Sequence, residues 1–515
     1  MNTVDLVVRN ARIYPDDTAF VEVRPVSRTR TEVTWKQFDD RTNSLASALL
    51  ARGVKKGDRV FLLGRNSIDW LEAYFSIVKT GAWVNPLNFR FTTDDISYCA
   101  AAAEPACFFF DDEYSNMVLS SRPGLPSVKT FISMGSGTMG DVESKERLIG
   151  ENRRLPPGVE LKDEDECGLY FTSGTTGVPK PILLLHKNLF CTAVNEVTNL
   201  FLTKEDALLM IPPLYHVAMG HLLASMLIAA KTVLLTEAVT PKAIFESMDT
   251  ERVRVAFLLV PWVLDILEAL DKGELKKGDY DFRGWRILQM GAQPIPTSLV
   301  RRWKEHFPRM ECHNTYGLSE TMGPGTIHNR LDDESKIGAI GKPGLLWDAR
   351  IVNSQAEDVP QGEVGEIIVK GMGVMKEYYK NPELTTRTIV DGWLHTGDLG
   401  RIDKDGFIFL VDRQKDLVIS GGENVYPVEV EEVIQKHPKV RDVAVIGTAH
   451  DRLGEVVTAI IDPIAEETLT QEEMALFCEQ NLPRYKRPRR IIFGSVPRSP
   501  TGKIEKPKLR ERYKQ

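Results

Sequence analysis

Between residues 172 and 180 the chain reads Thr-Ser-Gly-Thr-Thr-Gly-Val-Pro-Lys. The hydroxyls of Thr172, Ser173, Thr175 and Thr176 and the ammonium of Lys180 are all hydrogen-bond donors, and Gly174 and Gly177 permit turns that aim backbone N–H groups at a common point. Donors gathered on a short flexible loop wrap an oxyanion, so the run reads as a phosphate loop. It is not the G-x-x-x-x-G-K-[ST] loop, because its glycines stand three apart and no hydroxyl follows the lysine.

Such a loop needs a scaffold. Val33 and Trp35 followed by Phe38, Leu45, Leu49 and Leu50 read as a strand running into a helix, and Arg59-Val60-Phe61-Leu62-Leu63-Gly64 reads as a buried strand. A helix over 69–80, a strand entered through Gly81-Ala82-Trp83-Val84 and another at Cys107-Phe108-Phe109-Phe110 continue the alternation. Alternation of this kind predicts helices layered on a mainly parallel sheet. It resumes at Glu166, passes through apolar runs at 254–260 and 285–290, and is expected to end near 335. Residues 342–412 then change to short β-rich runs such as Gly365-Glu366-Ile367-Ile368-Val369-Lys370. After Asp412 come a helix, two strands, a helix and a basic tail, a compact α+β unit of about 100 residues. The expected organisation is an N-terminal domain over 1–412, with subdomains of about 1–165, 166–335 and 336–412, and a mobile C-terminal lid over 413–515.

Composition narrows the class. The 515 residues suggest about three units at roughly 150 residues each. With 42% hydrophobic and 27% charged residues and a net charge of -7, the chain has the balance of a soluble globular protein, and a general nucleic-acid-binding surface is excluded. The start carries neither a secretory signal nor an anchor, and the apolar windows 217–230 and 255–270 are interrupted by His221, Pro261 and Asp265, so a cytoplasmic protein without a transmembrane segment is expected. The six cysteines have no metal-site spacing and read as reduced, packed thiols.

Together with motifs farther on, the loop resembles the signature of adenylate-forming enzymes, the superfamily of acyl-CoA synthetases, luciferases and amino-acid adenylation domains. The resemblance runs from about 30 to 510, with the motifs in the family's order. It implies that Gly291-Ala292-Gln293-Pro294 lies along the adenine, that Tyr316 and its neighbours Asn314 and Gly317 pack on the base, and that Thr315 approaches the α-phosphate. Glu320 would contact Mg²⁺, a hard ion that prefers carboxylate and phosphate oxygens. In Thr396-Gly397-Asp398 the aspartate would accept from both ribose hydroxyls, and Arg413 would also reach the ribose or phosphate. Lys503, after Pro500-Thr501-Gly502, would present its ammonium to the charge developing between carboxylate and α-phosphate. Lys415 would be the pivot on which the lid rotates, Gly421-Gly422-Glu423 the loop that then lines the pantetheine tunnel, and His216 in Pro213-Leu214-Tyr215-His216 the gate of the thiol route. Pro181 departs from the family, which commonly has a small residue there.

The implied activity is an AMP-forming carboxylate–CoA ligase that uses ATP, Mg²⁺ and coenzyme A. Only twelve residues follow Lys503, which leaves no room for a fused carrier domain and makes coenzyme A the expected acceptor. Val217, where adenylation domains place an aspartate for the substrate ammonium, argues against an amino acid, and Gly317, where acetyl-CoA synthetases place a tryptophan, argues for an acid larger than acetate. The expected acyl pocket is Val217, Ala218, Met219, Gly220, Val260, Trp262, Leu318 and Met322, an apolar lining for a monocarboxylate with an uncharged tail. A medium- or long-chain fatty acid is the first expectation and an aromatic or alicyclic acid the alternative. The oligomeric state stays open, a homodimer among the options. A non-catalytic nucleotide-binding protein would share the fold, but intact Glu320, Asp398 and Lys503 favour an enzyme.

Overall fold

Runs such as Val60-Phe61-Leu62-Leu63 and Cys107-Phe108-Phe109-Phe110 have no polar face to offer water, and they form parallel strands buried on both sides. A computed structural model describes residues 1–513 apart from 136–139, 152–155, 174–178, 292–294, 465–467 and 499–502. The strands Arg59–Leu63 and Cys107–Phe110 belong to an eight-stranded sheet that also takes Trp83–Leu87 and the hairpin Glu166–Ser173 with Pro179–Leu185. The two-residue strand Glu377–Tyr378 closes one edge of this sheet against that hairpin.

A second, fourteen-stranded sheet carries the strands Leu208–Met210, Thr232–Leu235, Val255–Phe257, Ile287–Gly291 and Glu311–Leu318 in parallel. It continues through Gly323–His328 and Ala339–Pro343 into the antiparallel strands Ile408–Arg413, Trp393–Ile402 and Gly365–Gly371, and ends with Trp347–Val352. Its opposite edge is formed by the first hairpin of the chain, Thr18–Arg24 and Thr29–Thr34. Sheet membership therefore cuts across the residue boundaries expected near 165 and 335. The phosphate-loop hairpin completes the first sheet, while residues 18–34 and the β-rich stretch after 335 extend the second. The largest apolar cluster takes side chains from both sheets and from helices Trp35–Ala51, Ile68–Lys79, His186–Asn199 and Ala218–Leu227. Its polar helix ends are satisfied locally: Ser67 Oγ accepts the N–H of Trp70 at 3.0 Å, and Thr34 and Gln37 form a reciprocal cap.

Past the turn Gln414–Asp416 a separate five-stranded sheet begins at Val418–Ser420 and includes the long hairpin Val440–His450 and Gly454–Pro463, whose first strand is an edge. Helices Pro427–Ile434 and Gln471–Asn481 share its apolar cluster, and helix Lys506–Arg512 packs on the other face of the hairpin. Among the described residues no helix is long and apolar enough to cross a membrane.

Candidate active site

The strand Glu311–Leu318 carries five expected site residues in succession. Asn314 is pinned by donating from Nδ2 to the carbonyl of Ala339 at 2.9 Å, and the Thr315 hydroxyl donates to the carbonyl of Met290 at 3.1 Å. Two residues beyond Asn314 along the strand, the Tyr316 hydroxyl donates to Asp398 Oδ2 at 2.7 Å. Asp398 and Arg413 stand opposite one another in the ladder between Trp393–Ile402 and Ile408–Arg413, with Arg413 Nε 3.1 Å from Asp398 Oδ1. The carboxylate of Asp398, buried and close by, raises the pKa of Arg413. Burial and the same negative charge push the Tyr316 phenol well up, so it keeps its proton and donates. These groups line a cavity of about 220 Å³ together with Lys415 and Lys503.

Glu320 lies in the turn Ser319–Thr321 that follows the strand. Its Oε1 accepts from the Tyr378 hydroxyl at 2.8 Å, and Tyr378 pairs with Ile182 at the edge of the phosphate-loop hairpin. On that hairpin Lys180 stands opposite Thr172, with Nζ 5.9 Å from the centre of the Tyr378 ring. Tyr378 thus ties the acidic turn to the hairpin, a link with no motif spacing to reveal it. Pro181, which has no N–H to give, accepts from the N–H of Tyr379 through its carbonyl at 2.9 Å. Gly174, Thr175, Thr176 and Gly177, the Ser173 side chain, and Ala292, Gln293 and Pro294 lie outside the described residues.

Lys503 reaches this place from the C-terminal unit. It lines both this larger cavity and a second one of about 50 Å³, and Thr315 and Gly317 are likewise shared by the two. Burial and the like charge of Arg413 lower its pKa to about 8, against the opposing pull of Asp398 and Glu320. Arg498, paired with Ile504 in a short bridge, grips Asp442 with Nε at 2.9 Å and a second guanidinium nitrogen at 2.7 Å. That bidentate contact anchors the loop bearing the lysine to the hairpin behind it. His216 lines the smaller cavity with its Nε2 3.3 Å from Ser319 Oγ. Burial and then the charge of Lys503 lower its pKa to about 3, so it is a neutral imidazole.

The walls of the smaller cavity differ from the lining expected for an acyl pocket. Val217 and Ala218 contribute, but Leu259, Phe257, Pro324 and His221 complete the lining in place of Val260 and Trp262. The strand ends at Phe257 and a helix starts at Val260, which turns Val260 and Trp262 into the apolar cluster on the other face of the second sheet. Gly220 faces the backbone instead: a Cβ there would lie 2.7 Å from the carbonyl of Met322 and 2.6 Å from a Thr192 methyl. Met219 and Met322 are core residues, and Leu318 borders the larger cavity. Gly317 sits at a bulge where a Cβ would come within 1.8 Å of the Gly323 carbonyl oxygen, so close backbone approach demands glycine there.

The sequence reading also missed a polar trio. His221 Nδ1 and Gln289 Nε2 both meet Glu196 Oε1, the latter at 2.5 Å, and all three residues are buried. An isolated histidine in an apolar window, a glutamate in a helix and a glutamine in a strand give no local sign that they meet. Gly421, Gly422 and Glu423 form an exposed hairpin tip and line neither cavity, while Lys415 lies in the turn between the two units.

The profile of the AMP-binding enzyme family matches residues 7–379, and that of the AMP-binding enzyme C-terminal domain matches 429–503. The chain is 32% identical over 508 residues to a feruloyl-CoA synthase of an Amycolatopsis species, covering 98% of each chain. It is 31% identical to the long-chain-fatty-acid–CoA ligase FadD13 of Mycobacterium tuberculosis, covering 98% of this chain and 97% of that one. The crystal structure of the anthranilate CoA ligase AuaEII in complex with anthranoyl-AMP superposes with a TM-score of 0.90 at 26% identity, over 100% of this chain and 97% of the other. A two-domain α/β fold with a small C-terminal unit, carrying matches to both family profiles over most of its length, makes this chain a member of the AMP-binding, adenylate-forming enzymes.

Proposed function

We propose that the protein is an AMP-forming acyl-CoA synthetase that joins an aromatic monocarboxylic acid to coenzyme A in two half-reactions at one site. The observation that carries this is the meeting of Lys503 with Thr315 and Gly317 where the two cavities join. A carboxylate entering from the smaller cavity and an α-phosphate entering from the larger one would come together beneath a single ammonium.

In the first half-reaction a carboxylate oxygen attacks the α-phosphorus of ATP. A new O–P bond forms, the bond to the β-phosphate breaks, and pyrophosphate leaves with that electron pair. Lys503 offsets the negative charge shared between carboxylate and α-phosphate, and the Thr315 hydroxyl turns from the Met290 carbonyl toward a phosphate oxygen. Asp398, held by Tyr316 and Arg413, has the carboxylate oxygens to accept from two ribose hydroxyls. Glu320 and the Thr172 hydroxyl are hard oxygen donors of the kind that suit Mg²⁺, which when bound neutralises phosphate charge. Lys180 adds a fixed positive charge at the same hairpin.

In the second half-reaction the lid pivots at Lys415, Lys503 withdraws and the hairpin tip Gly421–Glu423 replaces it. His216 then clears the thiol route. The sulfur of coenzyme A attacks the acyl carbon, the bond to AMP breaks, and the thiol proton passes to solvent. The names of the relatives, all CoA ligases, support coenzyme A as the acceptor.

The choice of acid shifts from the sequence expectation of a fatty acid to its aromatic alternative. The Phe257 ring in the wall of the smaller cavity, beside Leu259 and Pro324, offers a face for a flat ring to pack on and supports this choice. The test measures pyrophosphate release and thioester formation with ATP and Mg²⁺ across benzoates, phenylacetates, cinnamates and straight-chain acids, with and without coenzyme A. Thioester from a ring acid is the expected result. A chain-length series that peaks at palmitate would overturn the choice of acid, and no pyrophosphate release with any acid would overturn the activity.

A further inference from the structure

Glu196 is 1% exposed and lies on the buried face of the helix His186–Asn199. A carboxylate is not placed there for stability, because apolar side chains of similar volume pack such a site at no desolvation cost. Its Oε1 accepts from Gln289 Nε2 at 2.5 Å and faces His221 Nδ1, with Gln289 Nε2 also 3.4 Å from that ring nitrogen. The three residues come from the helices His186–Asn199 and Ala218–Leu227 and the strand Ile287–Gly291, so three elements converge to hold one imidazole.

The consequence falls on the other ring nitrogen. Because Nδ1 faces a carboxylate it carries a proton, so in the neutral ring Nε2 is the nitrogen with the lone pair. Among the described residues Nε2 has no hydrogen-bond partner, and the ring, held 4.2 Å from that of Phe257, forms part of the wall of the smaller cavity. Thr315, Gly317 and Lys503 belong to both cavities and mark the end where the carboxylate reacts. His221 and Phe257 belong to the smaller one alone and therefore face the remainder of the acid.

We infer that His221, oriented by Glu196 and Gln289, reads a proton-donating substituent on the acid, so that the substrate is an aryl acid carrying a hydroxyl or amino group away from its carboxylate. This rests on the acyl-CoA synthetase reading and specifies its substrate class. The substituent donates to Nε2 inside an apolar wall. An acid lacking it strands a buried acceptor, whereas a purely apolar pocket discriminates weakly against one added hydroxyl.

The test compares kcat/KM for thioester formation within matched pairs, 4-hydroxycinnamate against cinnamate, hydroxybenzoates and aminobenzoates against benzoate, and hydroxyphenylacetates against phenylacetate. Wild type is expected to favour the substituted member of at least one pair by about 10- to 100-fold, the scale set by leaving a buried acceptor unmet. His221→Leu alone would leave Glu196 without its partner, so the pair Glu196→Gln/His221→Leu carries the comparison, with a melting curve to check the fold. In that variant the preference is expected to vanish or reverse, because an apolar wall offers the substituent no acceptor. Wild type that forms thioester from unsubstituted acids as efficiently as from every substituted partner overturns the inference and leaves the synthetase reading standing. A folded double variant that keeps the full preference also overturns it. Absence of thioester from every acid, straight chains included, overturns both readings.

Discussion

Lys503 holds its positive charge where burial and Arg413 oppose it, and the resulting pKa of about 8 lies close to the pH at which the enzyme would work. The ammonium is lost as pH rises through about 8, so pyrophosphate release should fall along an alkaline limb with that midpoint. Thioester formation from supplied acyl-AMP should lack the limb if the proposed rotation has withdrawn Lys503 by then. Lys503→Ala should cut the first half-reaction by roughly 100-fold or more, the usual cost of removing one charge-stabilising donor, while sparing the second. The same shift has a stability sign. The unfolded chain holds this proton more tightly, so the penalty is fully present below about 8 and is relieved between there and the ordinary lysine range. Lys503→Met should accordingly raise the melting temperature at neutral pH. Gly317 gives the opposite case: with a Cβ 1.8 Å from a carbonyl oxygen, Gly317→Ala forces the bulge apart. It should lower stability by about 2 kcal/mol and abolish most adenylation, measured by thermal melting and pyrophosphate release.

Two contacts between elements decide whether the reacting groups stay in place. Arg498 braces the loop of Lys503 against Asp442, so Arg498→Ala should slow pyrophosphate release about tenfold and leave thiolation of acyl-AMP unchanged, the mark of lost positioning. Tyr378 joins Glu320 to the edge of the phosphate-loop hairpin, and Tyr378→Phe should raise the Mg²⁺ concentration for half-maximal rate about fivefold, the scale of one lost hydrogen bond. What the sequence made legible sits within single elements. Asn314 to Leu318 follow one another on one strand, and Asp398 and Arg413 each carry a motif that their ladder then brings face to face. What stayed hidden depends on elements meeting. Glu196, His221 and Gln289 lie in three separate segments, and Trp262 turns away from the cavity only because a helix begins two residues before it. A helix periodicity over 260–271 was open to view, but the face it would bury depends on the neighbouring sheet.

At the scale of the whole molecule the C-terminal unit is latched to the large domain around the turn Gln414–Asp416. The N–H of Val428 donates to Asp412 Oδ2 at 3.0 Å, and Arg510 lies 2.8 Å from Asp416 within the turn that holds Lys415. This arrangement places Lys503 at the junction of the cavities and keeps Gly421 to Glu423 exposed, as the first half-reaction requires. Lys415→Pro stiffens the turn at its middle residue without removing the N–H of Leu417, which closes it on the carbonyl of Arg413. It should leave the burst of pyrophosphate within about threefold while slowing thioester formation more than tenfold, resolved in single turnover, as expected when a gating motion limits only one step. The first hairpin of the chain has a further consequence, for synthesis. Phe20 pairs with Thr232, and at roughly 5–20 residues per second a ribosome needs some tens of seconds to supply that partner. Until then the nascent hairpin has no sheet to join and leaves one edge unpaired, so the second sheet is completed out of translation order. Co-expressed halves cut at 165 would therefore have to exchange strands in both directions before either could close its sheet.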